Sequence, residues 1–113
     1  MKIYCHLKGS MYCEGQDFLR KVLSSGQTLR PENLRLIRQP DNPKDPNCVQ
    51  VWYAQGDEKV RLGFVNKENA PRVASYMDSG GTANIISTKF YGAIDKGQNA
   101  GMYFLVNAVS RQN

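Results

Sequence analysis

One histidine, three cysteines and no long apolar run stand in the 113 residues, and each shortage excludes a class of function. The longest apolar stretches are a few residues, as in Phe104-Leu105-Val106. A membrane span needs about 20 and the apolar core of a signal peptide about 7–15, so neither is expected. Met1-Lys2 runs straight into the strand-like Ile3-Tyr4-Cys5, which leads to the expectation of a cytoplasmic protein. Cys5, Cys13 and Cys48 are odd in number and form no C-x-x-C pair, so a disulfide framework and a four-cysteine zinc site both lack ligands. Reduced, mostly buried thiols are expected instead. Cys5 and His6 are neighbours on a strand and point to opposite faces, so they do not converge on a metal with Cys13. The phosphate-cradling G-x-x-x-x-G-K-[ST] and G-x-G-x-x-G runs and the nucleophile elbow G-x-S-x-G are missing. No catalytic residue, metal or cofactor is therefore assigned.

What is there fits one domain over residues 1–113. The chain is 41% hydrophobic, 22% charged and 10% aromatic, with a mean hydropathy of −0.53, values of a folding globular chain rather than a disordered tail. Fifteen Lys and Arg outnumber ten Asp and Glu, for a net charge of +5. An excess of this size favours a polyanionic partner without establishing one.

Residues 2–8 alternate Ile3, Cys5 and Leu7 with Lys2, Tyr4, His6 and Lys8, the period of a half-buried strand. Gly9 and Gly15 bracket a loop, and Phe18, Leu19, Val22 and Leu23 then recur at helical spacing up to Gly26. A strand is expected over Leu34–Arg38. Residues 39–47 hold three prolines and four Asx residues, and proline removes an amide donor and restricts its predecessor, so a rigid exposed turn is expected. Cys48–Ala54 and Val60–Val65 read as a hairpin. Asn66 is placed to cap a second helix carrying Ala70, Val73, Ala74 and Met77, with Pro71 in its first turn and Gly80-Gly81 after it. Ala83–Tyr91 and Gly101–Val109 read as two long strands joined by a mobile loop over 92–100. The expected fold is mainly β with two short helices: a small curled antiparallel sheet or barrel plugged by the helices.

Aromatic and basic residues interleave along this plan, as single-strand binding requires: a base stacks on any aromatic face for about 1–3 kcal/mol while Lys and Arg follow the phosphates. Most of the aromatics, Trp52, Phe64, Phe90 and Phe104 among them, also suit a core. Tyr12 differs, because its glycine-bracketed loop has no sheet face for it to pack into. Asp45 has two readings. A carboxylate beside phosphates repels them unless it meets a hydroxyl, and a strand's terminal ribose offers one. Alternatively, Asp45 and Asn47 close Asx turns into the next strand.

The run Leu36-Ile37-Arg38-Gln39-Pro40-Asp41-Asn42-Pro43-Lys44-Asp45-Pro46-Asn47-Cys48-Val49-Gln50-Val51, followed by Leu62-Gly63-Phe64-Val65-Asn66-Lys67-Glu68, carries a resemblance. In the pattern R-x-P-x-N-P-x-D-x-N, then a strand and G-[FYH]-[VL]-x-[KR]-E, it resembles the HIRAN domain. That domain occurs at the N-terminus of helicase-like transcription factor and related repair translocases, and as small free-standing bacterial proteins. The resemblance implies a modified OB-like β-barrel that, in eukaryotic members, captures the 3′ end of single-stranded DNA. It implies that Asp45 receives the terminal hydroxyl, with Asn42 in the same turn, that Tyr12 stacks on a base, and that Lys67 lies near the groove. Lys8, Arg38 and Lys44 are the further candidates for phosphates, and Phe64 is a further candidate for the interface.

Three positions depart from DNA-binding members. Met11 replaces an arginine, Cys13 a second tyrosine, and Lys44 an aromatic that stacks on the terminal base. The expected function is a non-catalytic module for single-stranded DNA with a free 3′-hydroxyl, in repair, replication or a mobile element, serving a helicase or nuclease partner protein. The rival is a protein-interaction adaptor that kept the fold and lost the pocket. Lys8 and Lys44 facing one cleft with Tyr12 would favour the first, and a cleft closed by Met11 the second. A thiol or metal enzyme is a third class with little to support it.

Overall fold

The computed structural model describes residues 1–92 and 96–111. Six strands form one antiparallel sheet: β1 (Lys2–Lys8), β2 (Leu34–Arg38), β3 (Val49–Gln55), β4 (Glu58–Val65), β5 (Thr82–Tyr91) and β6 (Gly101–Val109). Their order is β2-β3-β4-β1-β6-β5. Helix α1 (Gly15–Ser25) follows β1, and α2 (Ala70–Asp78) follows β4. Short 3-10 turns lie at Ser10–Tyr12 and Pro31–Asn33. Strand bounds lie within two residues of those expected from the pattern, and α2 starts three residues later than a cap at Asn66 would give. The expected mobile loop over 92–100 falls partly on 93–95, outside the described residues.

The sheet has a corner, and β1 makes it. Residues 2–6 of β1 pair with β6, from Lys2 opposite Asn107 to His6 opposite Tyr103. Its last two residues change partners, with Leu7 opposite Val65 and Lys8 opposite Phe64 on β4. The right-handed twist of strands lets one strand serve two half-sheets in this way, and the sheet curls between them. The edge strands β2 and β5 come into contact, but no ladder joins them among the described residues. The result is a half-barrel rather than a closed one.

Alternation fills the hollow of that half-barrel. Ile3, Cys5 and Leu7 of β1 face inward with Val49, Val51 and Tyr53 of β3 and with Met102, Phe104 and Val106 of β6. Helix α1 contributes Leu19 and Val22, and α2 contributes Ala70, Val73 and Ala74. Phe104 is fully buried, so truncating it to alanine costs about 3–5 kcal/mol. Of the other aromatics that suit a core, Phe90 packs partly against it, whereas Trp52 and Phe64 are half-buried outside it. Burial of Cys5 raises its thiol pKa to about 11, so it stays protonated and inert.

Asn66 differs from expectation. Asn69 holds the cap position of α2, and the Asn66 side chain makes no cap bond to the helix. Its Oδ1 instead accepts the His6 amide at 2.9 Å, while the Asn66 amide donates to the His6 carbonyl at 3.1 Å. At the corner β1 is changing partners, so the main-chain groups of His6 need a substitute for a ladder, and the asparagine supplies it. Helix entry is left to the Asn66 carbonyl, which accepts from the amides of Asn69 and Ala70.

Candidate nucleic-acid interface

A cleft of about 570 Å³ opens at this corner. Three stretches far apart in sequence meet there: the end of β1 with the loop after it, the proline-rich turn between β2 and β3, and the end of β4 with the residues leading to α2. The Lys8–Phe64 pair lies at the seam, and the half-buried Phe64 ring lines the cleft. The Arg61 guanidinium stands 5.5 Å from the centroid of that ring, within cation–π range.

The first wall is the loop after β1. Gly9 takes the left-handed conformation at φ 75°, and a Cβ there would come within 2.9 Å of the Phe64 ring, so only glycine turns the chain here. The Tyr12 amide donates to the Gly9 carbonyl at 3.1 Å. Cys13 turns its Sγ inward to the Arg61 carbonyl at 3.2 Å, fixing the loop to the part of β4 that precedes its pairing with β1. Gln16 fixes it from the other side, donating to the Ser10 hydroxyl at 3.1 Å and bonding Ala100 through both of its amide atoms. Tyr12 is thereby left 90% exposed at the lip of the cleft.

The second wall is the turn over residues 39–48, and it is held mainly by its own Asx groups. Asn42 Oδ1 accepts the amides of Lys44 at 2.9 Å and Asp45 at 3.2 Å. Asp45 Oδ1 accepts the Asn47 amide at 2.9 Å, and the Asp45 carbonyl accepts the Cys48 amide at 3.1 Å. Gln39 Oε1 gathers the Asn42 and Gln50 side-chain amides, tying the turn to β3. Asp45 thus closes an Asx turn with one oxygen. No hydrogen bond from a described residue reaches the other, Oδ2, in a side chain that lines the cleft. The two readings of Asp45 are compatible, because one oxygen orients the carboxylate that the other would present.

Lys8, Lys44 and Lys67 line the same cleft with two carboxylates, Asp45 and Glu68, so its lining carries one net positive charge. The Asn66 Nδ2 donor at 2.9 Å holds the Glu68 carboxyl below its usual pKa, which keeps it ionised. The negative charge of Asp45 adds to burial in pushing the Cys48 thiol up, so Cys48 is a neutral part of the lining.

Seven of the eight candidates from the sequence, namely Lys8, Tyr12, Asn42, Lys44, Asp45, Phe64 and Lys67, are thus brought together. Arg38 is not among the lining residues. Its Nε and Nη2 donate to the two carboxylate oxygens of Asp78, both at 2.9 Å, and Nη1 donates to the Cys48 carbonyl at 2.9 Å. The guanidinium fastens the turn to the end of α2. Met11 also lies off the cleft, 64% exposed, with its sulfur accepting from Asn99. Sequence reading missed a cluster beside the site in which His6 stacks on Tyr103 with ring centroids 4.4 Å apart. The alternation of β1 and β6 put both residues on the outer face, but their register was not readable.

The HIRAN domain family model matches residues 2–104. Among solved structures, a protein from Lactobacillus plantarum is similar at 19% identity, covering 95% of this chain and 98% of its own, with a TM-score of 0.59. The HIRAN domain of human HLTF is similar at 20% identity, covering 92% of this chain and 74% of its own, with a TM-score of 0.54. No curated protein matches at a significant level.

Proposed function

From the premise that the chain belongs to the HIRAN domain family, we propose that it is a non-catalytic module that binds single-stranded DNA by a free 3′-hydroxyl end. The observation that carries the reading is the convergence of Tyr12, Asp45 and three lysines on one cleft from separate parts of the chain. Each has a role the chemistry requires. Tyr12 stacks on a base and the Phe64 side chain lines the floor, the lysines neutralise phosphates, and Asp45 Oδ2 accepts the terminal 3′-hydroxyl. A 3′-phosphate carries up to two negative charges to the same oxygen and is repelled. A helicase or nuclease acting on the same end is the class of partner such a module would serve, in repair, replication or a mobile element.

The adaptor reading gains nothing from Met11, which lies off the cleft. The absence of aromatic side chains at Cys13 and Lys44 bears on affinity: two missing platforms at about 1–3 kcal/mol each place binding orders of magnitude below a fully equipped pocket. The test is a titration of labelled oligonucleotides ending in a 3′-hydroxyl, a 3′-phosphate or a blocked 3′ carbon. The hydroxyl end is expected to bind tightest and the phosphate weakest. No binding of any end below about 100 μM at low salt leaves the adaptor.

A further inference from the structure

The cleft has a neighbour. A second hollow of about 200 Å³ shares Lys8, Gly9 and Tyr12 with it and leads past His6 to Tyr91 on the outer face of β1, β6 and β5. There His6 lies opposite Tyr103 on β6, and Tyr103 lies opposite Lys89 on β5. The Tyr91 ring lies across Gly101, where any side chain would collide with it, and its hydroxyl meets His6 Nε2 at 2.5 Å. Tyr103 stands 5.1 Å from Tyr91 and 4.4 Å from His6, centroid to centroid. Two residues further along β1 on the same face, Tyr4 is 67% exposed opposite Leu105. Tyr91 and Tyr103 are each 40% exposed.

This is a row of preordered, solvent-facing aromatics flanked by Lys2, Lys8 and Lys89, and the inward alternation of the strands gives it no structural task in the core. Burial and the Lys8 charge hold His6 below its usual pKa, so near neutral pH it offers an uncharged ring. Sequence-tolerant stacking surfaces beside lysines suit a single nucleic-acid strand.

We propose that this face is a second binding segment, on which the nucleotides 5′ of the captured end run from Tyr12 over Tyr103 and His6 to Tyr4. The inference rests on the reading of the cleft and extends it from an end pocket to a track. It also supplies platforms in place of the two missing at Cys13 and Lys44.

The experiment compares 3′-hydroxyl oligothymidylates of two, four, six and eight nucleotides. Affinity is expected to rise about tenfold or more from the dinucleotide to the octamer, since one base stacked on an aromatic is worth that much. Tyr103→Ala and Tyr4→Ala should each remove most of the rise and leave the dinucleotide affinity unchanged, with Tyr103→Ala lowering the Tm through its lost stacking on His6. A photoreactive uridine placed four nucleotides from the end should cross-link to β1 or β6. Octamer and dinucleotide binding alike, or a rise that survives both substitutions, overturns the track while leaving the end pocket intact. Octamer binding that needs Tyr103 but ignores the 3′ group and Asp45→Ala supports the face and overturns the end pocket. Failure of every oligonucleotide, with an unrelated protein captured through Tyr4 instead, overturns both.

Discussion

The wall that carries Asp45 is held by its own hydrogen bonds, whereas the wall that carries Tyr12 is held by what lies behind it. In the turn over 39–48, Asn42 and Asp45 tie their own neighbours' amides, and three prolines remove the freedom that remains. In the loop after Gly9, Cys13 and Gln16 fasten the backbone to β4 and to Ala100, and the tyrosine ring itself touches little. The difference suits the chemistry proposed for each wall. Accepting one hydroxyl and refusing one phosphate depends on where a single oxygen points, so the carboxylate needs a fixed direction. Stacking tolerates every base and a range of offsets, so an exposed ring on a well-placed loop suffices.

That contrast breaks first at Tyr12. Tyr12→Ala should weaken single-strand binding by about 1–3 kcal/mol while stability moves by less than about 0.5 kcal/mol, measured by anisotropy and thermal melting. Unfolding would place the ring in the structure's support and erase the distinction between the walls. Asn42→Ala should do the reverse. It removes the acceptor for two amides, lowers stability by about 1–2 kcal/mol and flattens the preference between end groups, because Asp45 loses its direction.

The lysines should behave alike on both walls. With Lys8, Lys44 and Lys67 each meeting a phosphate, log affinity is expected to fall against log salt with a slope of about −2, and each Lys→Ala should remove about 0.7 of it. An unchanged slope for Lys44→Ala would take that residue out of the interface.

The smallest effect is expected at Arg38. Its removal in Arg38→Met should leave end preference in place and lower the Tm slightly. The paired Asp78 carboxyl is held below its usual pKa by the guanidinium, so its contribution is present above the ordinary carboxylate value of about 4 and lost as pH falls through the lower folded one. The Tm gap between wild type and variant should therefore close in acid. A loss of binding at neutral pH with an unchanged Tm would return Arg38 to the phosphates.

The residues that sequence placed well are those whose role is written into local chemistry. The alternation of β1, the proline–Asx turn and the helical spacing after Gly15 each follow from a few neighbouring residues, and the strands and helices stand where those patterns put them. The meeting of Tyr12, Asp45 and Lys67 was legible only through the family pattern, since nothing local says that three such stretches share a corner. The ion pair of Arg38 was not legible, because a basic residue beside the proline-rich turn looks the same in sequence whether its carboxylate partner is near or not. That partner, Asp78, lies forty residues away at the end of α2. Asn66 misled: it has the chemistry of a helix cap, but a strand changing partners had the more urgent need for its oxygen.

The most direct test of the account is the ratio of dissociation constants for otherwise identical oligonucleotides ending in 3′-phosphate and 3′-hydroxyl, measured for wild type and for Asp45→Asn. Asparagine keeps an acceptor oxygen and the shape while losing the charge. The ratio should exceed one in the wild type, against the attraction of a basic protein for the extra charge, and fall toward one or below in the variant. Hydroxyl affinity itself should change less than the ratio. Equal binding of the two ends by the wild-type protein, or a ratio that Asp45→Asn leaves unmoved, would contradict the account and leave Asp45 as a residue that only closes its turn.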